Sequence, residues 1–374
     1  MVINLKIVGT IVEYNPLHNG HAYAISKIKS ETQADVIIAV MSGDFTMRGE
    51  LSLFNKFEKT YQALNIGIDL VIELPLPYTV QNSDLFSEYA VKLLNLAKVN
   101  EIWIGSESNN SILYEKYYNA WNDESNQEKI KELINNGLSY KMATSTIIDL
   151  PSNDLLGFSY YKAIRNNNFN ISLHTIQRVG SGYLDETPNI FASAYSIRKD
   201  RKLINEYCPS FINNDNIREQ SLLFNHLKYQ IINTDIKDLK NIFLVEEGIE
   251  NKLKDIYKYN DLEEFVNSLI SKRYTRSRIQ RILLYVLFNI SKEQMNSIKS
   301  NEPNFIRVLG YTDKGLSYLK QIKKDVNIYT NIKNNQNEIL DITIKISKIL
   351  DLIYNQDLLK LEQSKPVYVK GSEN

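Results

Sequence analysis

Short apolar runs alternate with helical patterns through the first half of the chain, and this alternation limits the possible folds more than any other feature. The runs span residues 5–12, 34–41, 69–75, 100–106 and 170–178. Their β-branched, uninterrupted character is typical of parallel strands buried on both faces. Helical patterns lie between them, at about 19–32, 55–66 and 82–97, with several more from about 111 to 167. The sequence therefore predicts an α/β fold with a parallel sheet of Rossmann type.

Beyond about residue 205 this alternation stops and the pattern becomes helical. The helical stretches cover residues 217–232, 262–270, 276–290 and 338–355. We therefore expect two domains: a Rossmann-like domain over 1–205 and a mostly α-helical C-terminal domain over 206–374. We expect the last stretch, 364–374, to be a frayed tail.

Composition gives a few broad expectations. The 374 residues are 43% apolar and carry 44 basic and 44 acidic side chains, so a nucleic-acid surface would need local clustering of charge. A single cysteine excludes an intrachain disulfide and a cysteine zinc cage. The N-terminal stretch MVINLKIVGTIV resembles a short signal core, but it has one lysine and breaks at EYNP, so we expect a buried first strand instead. No apolar run reaches the ~18 residues of a membrane span. We expect a cytoplasmic protein with no membrane association, and no obligate protein partner can be read from the sequence.

The most informative stretch is VEYNPLHNGH, residues 12–21, which follows the first predicted strand. It places His18 and His21 one helical turn apart around Gly20. The two imidazoles could simply cap a helix, and a zinc site would need a third ligand that His174 and His226 do not supply at metal spacing. A phosphate site is the third interpretation, because a strand, a loop and a glycine in the first helical turn direct backbone N–H groups and the helix dipole at one spot. No metal ligands are predicted.

The motif HNGH resembles the HxGH signature of the HIGH-type nucleotidyltransferase superfamily, and its wider context is similar to the bacterial tRNA(Met) cytidine acetate ligases. The matching segments follow the same order along most of the chain: MSGDFTMRGE (41–50), DLVIELP (69–75), IGSE (104–107), NDLLGFSY (153–160), QRVGSGY (177–183), ASAYSIR (192–198), VEEGIE (245–250), KRYTRSRIQR (272–281) and RVLGYTDKG (307–315).

The resemblance implies an ATP-dependent acetate ligase. Such an enzyme forms acetyladenylate and pyrophosphate, then transfers the acetyl group to N4 of the wobble cytidine of elongator tRNA(Met), giving N4-acetylcytidine. ATP and acetate are the expected small-molecule partners, and elongator tRNA(Met) is the expected macromolecular partner. Mg²⁺ is expected as the counterion of ATP. A small-molecule adenylyltransferase of the same superfamily and a non-catalytic tRNA-binding protein remain the alternatives.

The resemblance also implies site residues. His18, His21 and Arg198 are the catalytic candidates, facing the phosphates. The remaining ATP contacts are expected from Ile11, Val12, Glu13, Tyr14, Asn15, Pro16, Leu17, Asn19, Gly20, Ala22, Tyr23, Ala24, Gly105, Asn153, Arg178, Ser193 and Ser196. Four charged residues at strand ends are further candidates for the border of the acetate or cytidine pocket: Asp44, Arg48, Glu73 and Glu107.

A basic cluster at residues 272–281 is the candidate RNA surface. On a helix, Ile279, Leu283 and their neighbours form an apolar stripe. The sequence predicts that Tyr274, Arg278 and Arg281 face away from this stripe, while Lys272, Arg273 and Arg276 lie close to the start of the helix. Such a surface could grip an RNA backbone and stack a base. The alternative is a solvated amphipathic helix. The candidates are Lys272, Arg273, Tyr274, Arg276, Arg278 and Arg281.

Overall fold

A computed structural model describes residues 5–138, 140–179, 191–212, 215–246, 248–333 and 337–371. The five predicted strands are all present. They are β1 (Ile7–Val12), β2 (Val36–Ser42), β3 (Leu70–Leu74), β4 (Glu101–Ser106) and β5 (Ser172–Gln177). Within this set of five, adjacent strands are parallel, in the order β5-β4-β1-β2-β3. The predicted α/β fold with a parallel sheet is confirmed, and the switch in strand order falls between β1 and β4.

Three further strands lie in the C-terminal half, where the sequence analysis predicts none. They are β6 (Phe305–Tyr311), β7 (Asn327–Tyr329) and β8 (Val367–Tyr368). β6 pairs antiparallel with β3, and both β7 and β8 pair with β6. The sequence analysis missed β6 because Arg307 interrupts its apolar run. In the structure the Arg307 guanidinium is buried and paired with Glu362. The prediction of a frayed tail is therefore wrong for Val367 and Tyr368.

Helices cover both faces of the sheet and form most of the C-terminal half. In the N-terminal half they are α1 (Asn19–Thr32), α2 (Lys56–Asn65), α3 (Leu76–Thr79), α4 (Ser83–Leu96), α5 (Ile112–Asn122), α6 (Glu124–Asn135), α7 (Tyr140–Ser145) and α8 (Ser152–Asn166). In the C-terminal half they are α9 (Ala194–Lys199), α10 (Ile204–Tyr207), α11 (Leu223–Asn233), α12 (Ile236–Asn241), α13 (Ile249–Leu253), α14 (Leu262–Leu269), α15 (Arg276–Leu287), α16 (Lys292–Ser300), α17 (Asp313–Ile322), α18 (Glu338–Tyr354) and α19 (Leu358–Glu362). Three short 3₁₀ segments occur at Arg201–Leu203, Gln220–Leu222 and Lys254–Lys258.

The two halves share polar contacts as well as the sheet. The Tyr285 hydroxyl of α15 donates to the Val80 carbonyl at 2.7 Å, and Arg281 donates to the Gln81 carbonyl at 2.8 Å. The C-terminal half therefore packs against the segment that follows α3. Strand β6, from the second half of the chain, extends the sheet that the first half builds. The two halves therefore share one sheet, and the division into domains at residue 205 stays a prediction.

Among the described residues, no helix combines the length and the apolar character that crossing a bilayer requires.

Candidate active site

A cavity of about 270 Å³ lies at the carboxyl ends of β1, β4 and β5, beside the switch in strand order. This is the position at which open α/β sheets bind their ligands. Most of the predicted nucleotide contacts line it: Ile11, Val12, Glu13, Tyr14, Asn15, His18, Gly20, His21, Tyr23, Ala24, Gly105, Asn153, Arg178, Ser193 and Arg198. Pro16, Leu17, Asn19, Ala22 and Ser196 are not among the lining residues.

His18 and His21 cap the first turn of α1 reciprocally. Nδ1 of His18 accepts the N–H of Gly20 at 3.1 Å, and Nδ1 of His21 accepts the N–H of His18 at 3.2 Å. The rings stack with their centroids 3.7 Å apart. The capping and phosphate interpretations are therefore compatible, because each ring uses Nδ1 for the helix and keeps Nε2 for the cavity.

Both imidazoles are neutral in the folded protein. Burial lowers the pKa of His18 to about 3, and the nearby Arg178 guanidinium acts in the same direction. The pKa of His21 lies well below its usual range because of burial, His18 and Arg178. A neutral ring carries one N–H, and since each Nδ1 is an acceptor, the proton is on Nε2. The site thus presents two imidazole N–H donors.

Arg198 contacts the loop that follows β1. Its guanidinium donates to the Asn15 carbonyl at 2.6 Å and pairs with Glu50 at 3.3 Å. Asn15 in turn accepts the Leu53 N–H at 2.9 Å, which fixes the loop after β1 against the segment that precedes α2. The sequence analysis missed Glu50, which also lines the cavity.

Ser193 and Ser196 lie at the start of α9 and have different surroundings. Ser193 lines the cavity and its Oγ caps the helix by accepting the Ser196 N–H at 3.0 Å. The Ser196 hydroxyl is buried and donates to the Ser193 carbonyl at 2.9 Å. Ser196 therefore supports the turn that presents Ser193.

A buried carboxylate organises the side of the cavity formed by β4 and α8. Asp154 accepts the Glu107 N–H at 3.1 Å, the Tyr114 hydroxyl at 3.1 Å and the Ser106 hydroxyl. Glu107 then holds Asn153, whose side-chain and backbone N–H groups both donate to its carboxylate. Asn153 is in the first turn of α8 and is not its N-cap, which is Pro151. The sequence analysis missed Asp154 because helices often carry an acidic residue in the first turn.

Gly105 is close to Arg178 for a steric reason. A Cβ at residue 105 would lie 3.3 Å from Cγ of Arg178, which is tighter than most such contacts. Because Gly105 has no side chain, the Arg178 side chain can lie along the end of β4. From there the charge of Arg178 acts on the two histidines.

A network of buried charges lies beneath the loops that follow β2 and β3. Asp44 pairs with Arg218 at 2.8 Å, and Lys56 pairs with Glu73 at 2.7 Å and with Glu362 at 2.5 Å. Neither Asp44 nor Glu73 lines the active-site cavity; both are buried beside cations, and Oε2 of Glu73 has no hydrogen-bond partner among the described residues. Their place at the border of a substrate pocket stays a prediction. Burial of Asp44 is outweighed by Arg218 and Lys56, so its pKa lies below the usual range.

Lys59 is a further residue that the sequence analysis did not predict for this site. It is fully buried, and its Nζ donates to the Glu13 and Ser42 carbonyls, each at 2.8 Å. Burial lowers its pKa to about 7 against the attraction of Asp44 and Glu13. Lys59 therefore ties together the carboxyl ends of β1 and β2, from which the floor of the cavity is built.

The candidate RNA surface differs from its prediction. Tyr274 is buried and its hydroxyl donates to the Glu246 carbonyl, so its ring is not available for stacking a base. Arg281 is mostly buried against Gln81. Arg276 pairs with Glu263, and Arg278 pairs with Glu246 at 3.2 Å. Lys272 and Arg273 are exposed. Helix α15 buries more residues than the predicted apolar stripe, among them Gln280 and Tyr285, because it packs against the segment that follows α3.

Comparison with known proteins agrees with this geometry. The HIGH Nucleotidyl Transferase family model matches residues 5–365. A tRNA(Met) cytidine acetate ligase from Fusobacterium nucleatum is 38% identical, with 92% of this chain and 91% of the relative covered. One from Staphylococcus aureus is 36% identical, with 94% and 96% covered. This chain belongs to the tRNA(Met) cytidine acetate ligase family.

Solved structures show the same architecture for this family. The apo crystal structure of Thermotoga maritima TmcAL superimposes with a TM-score of 0.85 at 25% identity, covering 98% of this chain and all of that one. A second form, bound with alpha-thio ATP, gives a TM-score of 0.84 with the same identity and coverage. Within the described part of this ligase-family chain, no three His, Cys, Asp or Glu side chains are grouped so as to hold a metal ion.

The neutrality of the histidines predicts how stability depends on pH. In the unfolded chain histidine takes up a proton below about pH 6.5, whereas folded His18 stays neutral to about pH 3, so the fold loses stability as the pH falls through that window. Between pH 7.5 and 5 we expect wild type to lose about 2 kcal/mol more than His18→Asn, which keeps a capping side chain. Urea unfolding at the two pH values measures the difference. His226→Asn, outside the cavity, is the matched control, and equal losses in wild type and His18→Asn would contradict a buried neutral His18.

Proposed function

We propose that this chain is an ATP-dependent acetate ligase that acetylates N4 of the wobble cytidine of elongator tRNA(Met). The observation that carries the proposal is the pair of neutral imidazole N–H donors at the switch point of the sheet, beside Arg178 and Arg198. This arrangement fits phosphates, and the family membership supplies the acetate and the tRNA. The chemistry has two steps, and the same cavity would serve both.

In the first step an acetate oxygen attacks the α-phosphorus of ATP, and pyrophosphate leaves. Negative charge on the phosphate oxygens shifts toward the leaving group during such a transfer, and preorganised donors stabilise it. His18 and His21 would donate through Nε2 to these oxygens, and Arg178 would balance the charge as a permanently protonated fork. Burial keeps these donors oriented without a rearrangement of water.

Arg198 and Ser193 would receive the outgoing pyrophosphate. Arg198 is at present shared between the Asn15 carbonyl and the Glu50 carboxylate. A pyrophosphate group is a stronger partner than a carbonyl, so product formation would draw the guanidinium toward the cavity while Glu50 limits how tightly it holds the product. Mg²⁺ would enter bound to the ATP phosphates and water, which suits an ion that keeps part of its hydration shell.

In the second step the exocyclic amine of cytidine attacks the acetyl carbon. A C–N bond forms, the bond to the AMP phosphate oxygen breaks, and the amine proton is released to solvent. AMP leaves as its phosphate anion, held by the same donors. The cytidine has to be unstacked to reach a cavity at the sheet edge, as RNA-modifying enzymes commonly require.

Pyrophosphate exchange into ATP tests the first step without tRNA. We expect exchange that requires acetate and that falls about 10²-fold or more in His21→Ala, because a transition-state donor is lost. His226→Ala is the matched histidine control and should exchange like wild type. Exchange supported by a different acid or nucleotide would instead favour a small-molecule adenylyltransferase, and no exchange even with tRNA added would reject the ligase.

The exposed basic residues just before α15 give a second test. Lys272 and Arg273 face solvent, and we propose that they contact RNA phosphates. Each lost contact should reduce the slope of log affinity against log salt by about 0.7 to 0.9. The double variant Lys272→Ala/Arg273→Ala should therefore bind tRNA more weakly and with a shallower salt dependence, while exchange without tRNA is unchanged.

Filter binding at several salt concentrations measures this slope. Lys129→Ala, which removes an exposed lysine from α6, is the control for a general charge effect. An unchanged slope in the double variant would contradict the proposal that these two residues contact RNA phosphates.

A further inference from the structure

A second cleft lies outside the active-site cavity. Its volume is about 490 Å³, within the roughly 300–1,000 Å³ range of small-molecule pockets. It is open to solvent and is bordered by α2, by the segment around Phe211 and by the turn between α18 and α19. None of its lining residues lines the active-site cavity.

Two aromatic rings project into this cleft. Tyr61 is 47% exposed and Phe211 is 39% exposed, and their centroids lie 6.5 Å apart with the rings nearly perpendicular. They form a corner in which a flat group can stack on one ring and meet the edge of the other. Aromatic rings exposed in this way are the usual stacking platforms for unpaired bases.

Two carboxylates line the cleft and can accept hydrogen bonds from a ligand. Glu58 is in α2 and half-buried, and Asp357 is exposed in the turn before α19. Burial raises the pKa of the Glu58 carboxyl. A ligand that brings N–H donors would be favoured, because hydrogen bonds to a carboxylate are stronger than those between neutral groups.

The charges of the cleft exclude a phosphate as its main occupant. Glu58 and Asp357 line it, and none of the described lining residues is Lys or Arg. A nucleobase meets these conditions, because it is flat and uncharged and its edge can carry an amino group. The sugar and phosphate would remain outside the cleft.

The cleft also communicates with the active site through one short segment. The Leu53 N–H donates to Asn15 in the loop that follows β1, and the next residue, Phe54, already lines the cleft. Arg218 holds this segment from below by donating to the Ser52 and Phe54 carbonyls. Residues 52–54 therefore connect one wall of the cleft to the loop that lines the active site.

We infer that the cleft around Tyr61 and Phe211 binds one unstacked, amino-bearing base of the RNA substrate. This rests on the proposed function, since it requires an RNA substrate. The base would stack at the aromatic corner and donate through its amino group to the Glu58 and Asp357 carboxylates, which would hold the strand in register with the reactive cytidine.

Leucine substitutions test the inference. Tyr61→Leu and Phe211→Leu keep apolar volume but remove the rings, so we expect binding of elongator tRNA(Met) to weaken about 5-fold to 100-fold, as for the loss of one stacked base. Acetate-dependent pyrophosphate exchange without tRNA should be unchanged, which also shows that the variants are folded. Tyr257→Leu removes an exposed tyrosine outside the cleft and is the matched control.

Crosslinking tests the contact in the unmodified protein. Elongator tRNA(Met) containing 5-bromocytidine is irradiated with the wild-type protein, and we expect a crosslinked peptide that contains Tyr61 or Phe211. Unchanged tRNA affinity in both leucine variants, or a crosslink confined to other peptides, would overturn the inference while exchange activity leaves the ligase function standing. Loss of acetate-dependent exchange in wild type would instead count against the proposed function.

Discussion

The reciprocal hydrogen bonds between His18, His21 and the first turn of α1 determine what this site can do. Each Nδ1 satisfies a backbone N–H that a helix start would otherwise leave without a partner, so the same two bonds complete the helix and fix the tautomer of both rings. Burial then keeps the rings uncharged. Helix capping and phosphate binding therefore belong to one arrangement.

Buried ion pairs connect the C-terminal half to the loops beside this site. Arg218 is paired with Asp44, and Glu362 is paired with both Lys56 and Arg307, all of them buried. Removing one partner of such a pair strands a charge in the core, which costs about 3–5 kcal/mol, whereas the intact pair adds little net stability. We infer that the network serves mainly to fix the positions of the loops after β2 and β3 relative to β6 and α19.

The sequence predicted what depends on short-range patterns. The five parallel strands follow from apolar runs, and the histidine motif is contiguous, so its position at the end of β1 could be read directly. Strand β6 was missed because Arg307 breaks its apolar pattern and is neutralised only by the distant Glu362. Tyr274 and Arg281 were expected to face solvent, since helical periodicity cannot show that a second surface packs against the same helix. Long-range pairing accounts for both errors.

Nitrogen NMR of the histidine rings tests the central claim most directly. With four histidines in the chain, ¹⁵N-labelled rings can be assigned by comparison with His18→Asn and His21→Ala. We predict that His18 and His21 of the nucleotide-free protein are neutral Nε2–H tautomers at pH 7 and remain so at pH 5.5. An Nδ1–H tautomer, or a charged ring at pH 7, for either residue would contradict the account of the site as a pair of preorganised neutral donors.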